Sequence, residues 1–162
     1  MPTRPLRRVL PAALLGLAAL AALVAVLVAT ARLSLGDTVL LPGTERAGVQ
    51  EVSGEAGELS LAVDVRNGGP LPLQVEGPAT DRLGSYDVRL GRGVPGGGVP
   101  EQEQFAPFML WPGQQRLLVL HLTRTAASPG RPLELRRFEV AARVLGVRRD
   151  LEVVLPTTLR VR

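Results

Sequence analysis

The sequence contains no cysteine. That absence excludes a disulfide framework, a thiolate zinc or iron–sulfur site and a lipid anchor on cysteine. Histidine occurs once and methionine twice, too few for a soft-metal carrier. Lysine is missing as well, and all 19 basic residues are arginine. Aromatic side chains make up only 3% of the 162 positions, so any cluster of them stands out. The length suits one domain plus an appendage and is short for two.

A net charge of +4 and a pI near 11.1 invite a nucleic-acid reading, which the position of the charge removes. Arg4, Arg7, Arg8 and Arg32 flank one apolar stretch and carry all of the excess. From residue 33 onward, 15 arginines meet 15 acids, and the balance is zero.

Residues 9–31 form an uncharged run of 23 residues rich in Leu, Val and Ala. As a helix, at about 1.5 Å per residue, the run spans roughly 34 Å, enough for a hydrocarbon core of about 30 Å. It shows no polar face of the kind a helix in water requires. The expectation is an uncleaved signal anchor with a cytoplasmic N-terminus, favoured by the three preceding arginines. The alternative is a signal peptide cleaved after Ala31, where Ala29, Thr30 and Ala31 make an Ala-x-Ala site.

Beyond the run, residues 32–46 lack a clear period and read as a tether, with room for one short strand at Thr38–Leu41. Leu59, Leu61, Val63 and Val65 then alternate with Ser60, Ala62, Asp64 and Arg66, the period of a half-buried strand. Asn67, Gly68 and Gly69 follow as residues suited to a positive-φ connection. Leu71, Leu73 and Val75 resume the alternation, with Pro70 and Pro72 restricting that strand to an edge or making it irregular. Tyr86, Val88 and Leu90 alternate again. Trp111, Pro112, Gly113 and Gln114 fit a type II turn ahead of an apolar strand over residues 117–122. Two closing strands, over about 137–145 and 151–155, turn near 146–150. Residues 133–145 satisfy two periods: Leu135, Phe138, Ala142 and Leu145 fit a helix, and Phe138, Val140, Ala142 and Val144 fit a strand. The need of neighbouring strands for a partner favours the strand. Short strands separated by turn residues predict a mainly β chain built as an antiparallel β-sandwich.

Four segments carry a family likeness. They are Asn67-Gly68-Gly69, Leu71-Pro72-Leu73-Gln74-Val75, Phe108-Met109-Leu110-Trp111-Pro112-Gly113 and the hairpin around Val144-Leu145-Gly146-Val147-Arg148-Arg149. With them, residues 58–161 resemble the small immunoglobulin-like β-sandwich modules found outside the membrane in many bacteria. The resemblance implies an immunoglobulin-like sandwich that binds or spaces rather than catalyses. The expected organisation is a cytoplasmic basic tail (1–8), a transmembrane helix (9–31), a tether (32–46) and an extracytoplasmic sandwich domain (47–162).

Chemistry-bearing patterns are sparse. Gly91, Gly93 and Gly96 match G-x-G-x-x-G, but Pro95 and Pro100 keep the stretch from opening a helix, and it reads as a surface loop. His121 has no serine in a nucleophile-elbow context and reads as a strand residue pointing out of the core. Glu101 and Glu103, two loop acids, do not form a glycosidase pair across a cleft. Phe105, Phe108 and Trp111, three of the five aromatics within seven residues, either plug one end of the sandwich or form an exposed interaction patch. Arg136, Arg137, Arg143, Arg148 and Arg149 form the densest basic group. They meet either anionic lipid headgroups or an acidic envelope polymer, or they share a mixed, solvated face with Glu134, Glu139, Asp150 and Glu152, the reading favoured here.

The expected function is non-catalytic: an interaction or accessory component of the cell envelope, single-pass in the cell membrane with its C-terminal domain outside. The alternative is a secreted ligand-binding module released after Ala31. Expected partners are the lipid bilayer, through residues 9–31, and another envelope or membrane protein. No nucleic acid, metal or cofactor is expected.

Overall fold

A computed structural model describes residues 6–52, 57–92, 105–125 and 132–161. It opens with helix α1 (Leu6–Ala29), followed by β1 (Leu33–Leu40), β2 (Thr44–Arg46), β3 (Val49–Val52), β4 (Glu58–Asn67) and β5 (Leu73–Pro78). Next come β6 (Arg82–Leu83), β7 (Tyr86–Arg92), β8 (Phe108–Leu110), β9 (Gln115–Arg124), β10 (Leu133–Val144) and β11 (Val147–Val161). The fold is mainly β, with two sheets in a sandwich-like arrangement. One sheet has the order β1-β4-β9-β7-β6, the other β2-β3-β11-β10-β5-β8. Every pairing is antiparallel except β3 on β11.

The predicted alternation appears in β4, where Leu59, Leu61, Val63 and Val65 are buried and the residues between them are not. These meet Leu118, Leu120 and Leu122 of β9 and the inward side chains of β10 and β11 in one continuous core. Fully burying each such side chain is worth about 1.5–3 kcal/mol. Residues 133–144 resolve as strand, because both edges of β10 find partners, β11 on one side and β5 on the other. That tertiary pairing outweighs the helical spacing of the same residues.

The N-terminal expectation needs correction. Among the described residues, no helix is long and apolar enough to cross a membrane. The transmembrane helix expected over residues 9–31 is therefore not supported, and the helix ends at Ala29 instead of running through Ala31.

Residues 32–46 are not a bare tether either. They form β1, paired with β4 from Leu33↔Asn67 to Leu40↔Ala62, and β2, paired with β3. The register of β1 slips between Leu35 and Val39. Gly36 sits in that irregularity, where an added Cβ would lie 2.9 Å from the Asp64 Cβ. Such a bulge breaks the apolar alternation by which a strand is read.

Two turns match or refine their reading. Gln114 N–H donates to Trp111 O at 2.9 Å, and Gly113 has φ +77°, as a type II turn requires. The final hairpin turns earlier than 146–150. Leu145 (φ 49°) and Gly146 (φ 82°) fill a two-residue loop between paired Val144 and Val147. Two successive left-handed residues give the primed turn whose twist suits a hairpin.

Candidate interaction surface at the helix end of the sandwich

One end of the sandwich is organised by Asn67, the only buried polar residue among those described. Its side-chain amide donates to Leu71 O at 2.8 Å and Leu110 O at 2.9 Å, and its Oδ1 accepts from Gly69 N–H at 2.9 Å. Its backbone N–H donates to Gln114 O, and its carbonyl accepts from Gly113 N–H. Asn67 closes β4 of one sheet, and Leu110 closes β8 of the other, so this one side chain ties the two sheets together. Its buried polar atoms are satisfied, which the low-dielectric interior demands.

The same corner receives α1. Gly68 N–H donates to Arg32 O at 3.1 Å, and Arg32 Nε–H donates back to Gly68 O at 2.9 Å. Gly68 and Gly69 are outside the positive-φ region, so the turn does not use them for that freedom. They allow close approach instead. A Cβ at Gly68 would sit 3.2 Å from Arg32 Nε, and one at Gly69 would sit 3.3 Å from Thr30 O. Val28 and Ala31 are buried against the core, with Val24 partly so. Among the described side chains of the helix, Leu14, Leu15, Leu17, Leu20, Leu23 and Val26 are 55–73% exposed. Among the described side chains of α1, those of Val24 and Val28 meet the sandwich core, and the six exposed ones stand clear of it.

The aromatic trio is split by the structure. Phe108 is buried and Phe105 packs partly against the core, their ring centroids 5.9 Å apart. Trp111 lies outside at 56% exposure, on the turn beside Asn67. One trio thus contributes two plugs and one surface residue.

The five arginines of the basic group are all exposed, on β10 and β11. Arg137 pairs with Glu152 at 3.1 Å and Arg143 with Glu76 at 2.8 Å, while Arg148 is 3.8 Å from Asp150. Arg136 and Arg149 form no ion pair among the described residues. Most of the strand face is therefore charge-matched, and Glu76, from β5, is a partner that sequence distance conceals.

Ser60 Oγ lies 2.8 Å from His121 Nδ1, across the β4–β9 register. Sequence reasoning placed no serine at His121, because strand register is not written in either strand alone. Gly91 of β7 lies beside the ring, where a Cβ would stand 3.0 Å from Nε2. Its small size makes room for the imidazole. Among the described residues no carboxylate bonds to the ring, and no His, Cys, Asp or Glu group is placed to hold a metal. Gly93, Gly96, Glu101 and Glu103 lie outside the described residues.

Comparison with known proteins adds little. No family model and no curated protein matches the chain. Among solved structures it is similar to the VesB protease of Vibrio cholerae, at 12% identity and a TM-score of 0.39. The match covers 76% of this chain and 31% of that one, and a likeness of this size carries no argument about fold or activity.

Proposed function

We propose that the chain is a non-catalytic, immunoglobulin-like module of the cell envelope, exported by its apolar N-terminal run and held at a lipid surface through α1. The observation that carries this reading is the state of α1. Val28 is built into the sandwich core, while six large apolar side chains between residues 14 and 26 are exposed. Leaving such side chains in water forfeits about 1.5–3 kcal/mol each, so an apolar phase is the environment in which this helix is stable. The sandwich then works within reach of the surface, where restricted diffusion raises its effective concentration toward a partner protein of the envelope.

Vesicle flotation of the full chain tests the lipid contact. The protein is expected to float with the vesicles, and a Leu17→Ser/Leu20→Ser/Leu23→Ser variant is expected to stay at the bottom. A variant that floats as well as the parent would remove α1 from the account. A reporter enzyme active only outside the cytoplasm, fused after residue 162, tests export, and an inactive fusion overturns it. One feature favours the secreted alternative. β1 begins at Leu33, so a chain cleaved after Ala31 keeps every strand. Intact mass of the mature protein distinguishes the two.

A further inference from the structure

The end of the sandwich that receives α1 also collects apolar side chains with no cover. Trp111 and Leu145 are each 56% exposed, and Val147 is 47% exposed. The registers bring them to one end. Val144 faces Val147, Arg143 faces Gln74, and Gln74 faces Met109. The next positions along these strands are the Leu145-Gly146 loop, the start of β5 and Trp111. Asn67 binds this row to the α1 corner through Leu110 and Leu71. The C-terminal corner of α1 joins the sandwich at this same end.

Charge points to the nature of that surface. Arg32, Arg66, Arg148 and Arg149 are exposed around the same end. Arg66 stands beside the Trp111 turn, its Nη2 3.8 Å from where a Cβ at Gly113 would be. Of these four, only Arg148 pairs with an acid among the described residues, Asp150 at 3.8 Å. Leu145 adds an independent sign. A leucine at φ 49° is strained, and an asparagine or glycine suits the first position of such a turn better. An exposed apolar residue where the backbone disfavours it points to a role outside the fold.

We propose that this end is a second lipid contact, with Trp111, Leu145 and Val147 seated in the interface of an anionic bilayer and the surrounding arginines against its phosphate headgroups. Tryptophan and arginine are the residues whose mixed character suits that depth. The inference rests on the reading that α1 lies in lipid.

Trp111 is the only tryptophan in the chain, and α1 contains none, so its fluorescence reports on this end alone. The full chain is reconstituted into vesicles of phosphatidylcholine with or without phosphatidylglycerol. With anionic lipid, the emission is expected to shift to the blue and acrylamide quenching to fall severalfold relative to neutral vesicles. Arg148→Gln with Arg149→Gln should lower the ratio of docked to undocked ends about tenfold or more on anionic vesicles, since each arginine near such a surface contributes substantially. Leu145→Asn relieves the turn and keeps the fold, yet it should restore part of the quenching. A chain that floats while Trp111 stays fully quenchable overturns this inference and leaves the α1 reading standing. A chain that does not float overturns both. Protection that ignores lipid charge overturns the role of the arginines.

Discussion

The two ends of the sandwich finish their strands with different side chains. At the end away from α1, Arg160 reaches Glu134 at 2.7 Å and Arg82 reaches Asp87 at 3.3 Å. Leu83 and Leu133 there fold partly against the core. At the α1 end, Arg32, Arg66 and Arg149 form no ion pair among the described residues, and Trp111, Leu145 and Val147 stay uncovered. Both ends are built from the same strands, so the contrast reflects which side chains finish each strand. Exposed arginines without an ion pair among the described residues occur at both ends, Arg124 at the far one, so the difference lies in the cluster of Trp111, Leu145 and Val147.

The largest expected effect on this contrast comes from Asn67→Ala. It leaves the carbonyls of Leu71 and Leu110 without their donor and frees the Gly69 corner from its acceptor. Losing these buried bonds should cost about 3 kcal/mol and lower Tm by roughly 10 °C. Thermal unfolding followed by circular dichroism checks it, and an unchanged Tm would mean that the two sheets are not joined through this residue.

A smaller effect of opposite sign is expected from Leu145→Asn. Placing asparagine at φ 49° should stabilise the isolated chain by about 0.5–1 kcal/mol in denaturant titration. A loss of stability would show that the leucine packs in a way that its exposure does not suggest.

Glu134→Gln, at the other end, removes the partner of Arg160. Glu134 is exposed and Arg160 half-buried, so the cost should be no more than about 1 kcal/mol, and lipid binding should not change. A large change in vesicle binding would break the distinction between the ends.

The smallest effect concerns neither end. Asp64 has its pKa raised, first by burial and then by the neighbouring Asp37 carboxylate. A raised carboxyl pKa means that the folded state holds its proton more tightly than the unfolded one. Stability contributed by this group therefore falls as pH rises from its ordinary value of 3.8 through the raised one. Asp64→Asn should raise Tm slightly at pH 7, and the gain should vanish at pH values below 3.8. A gain that persists in acid would assign the effect to something other than charge.

Much of the fold can be read locally. The alternation of β4 reflects one buried face, and the Trp111-Pro112-Gly113-Gln114 turn follows from ring closure and glycine φ. β1 escaped that reading because the irregularity between Leu35 and Val39 interrupts its period. The strand at residues 133–144 was ambiguous for a different reason: small and apolar residues there satisfy both periods, and only the partners β5 and β11 decide. Of the candidate surface, the aromatic trio was visible as a cluster, but its division was not. Burial of Phe105 and Phe108 and exposure of Trp111 depend on where β8 lies against β5. The role of Asn67 is equally remote from the sequence, since one of its acceptors is 43 positions away. Gly68 and Gly69 looked like turn residues and proved to be space for Arg32 and Thr30.

Hydrogen exchange of the full chain, with and without anionic vesicles, tests the central claim most directly. The account predicts slower exchange in lipid over residues 14–29, around Trp111 and at the Leu145-Gly146 turn, with no change around Arg82, Glu134 and Arg160. Slowing at the latter end, or none at residues 14–29, would contradict it.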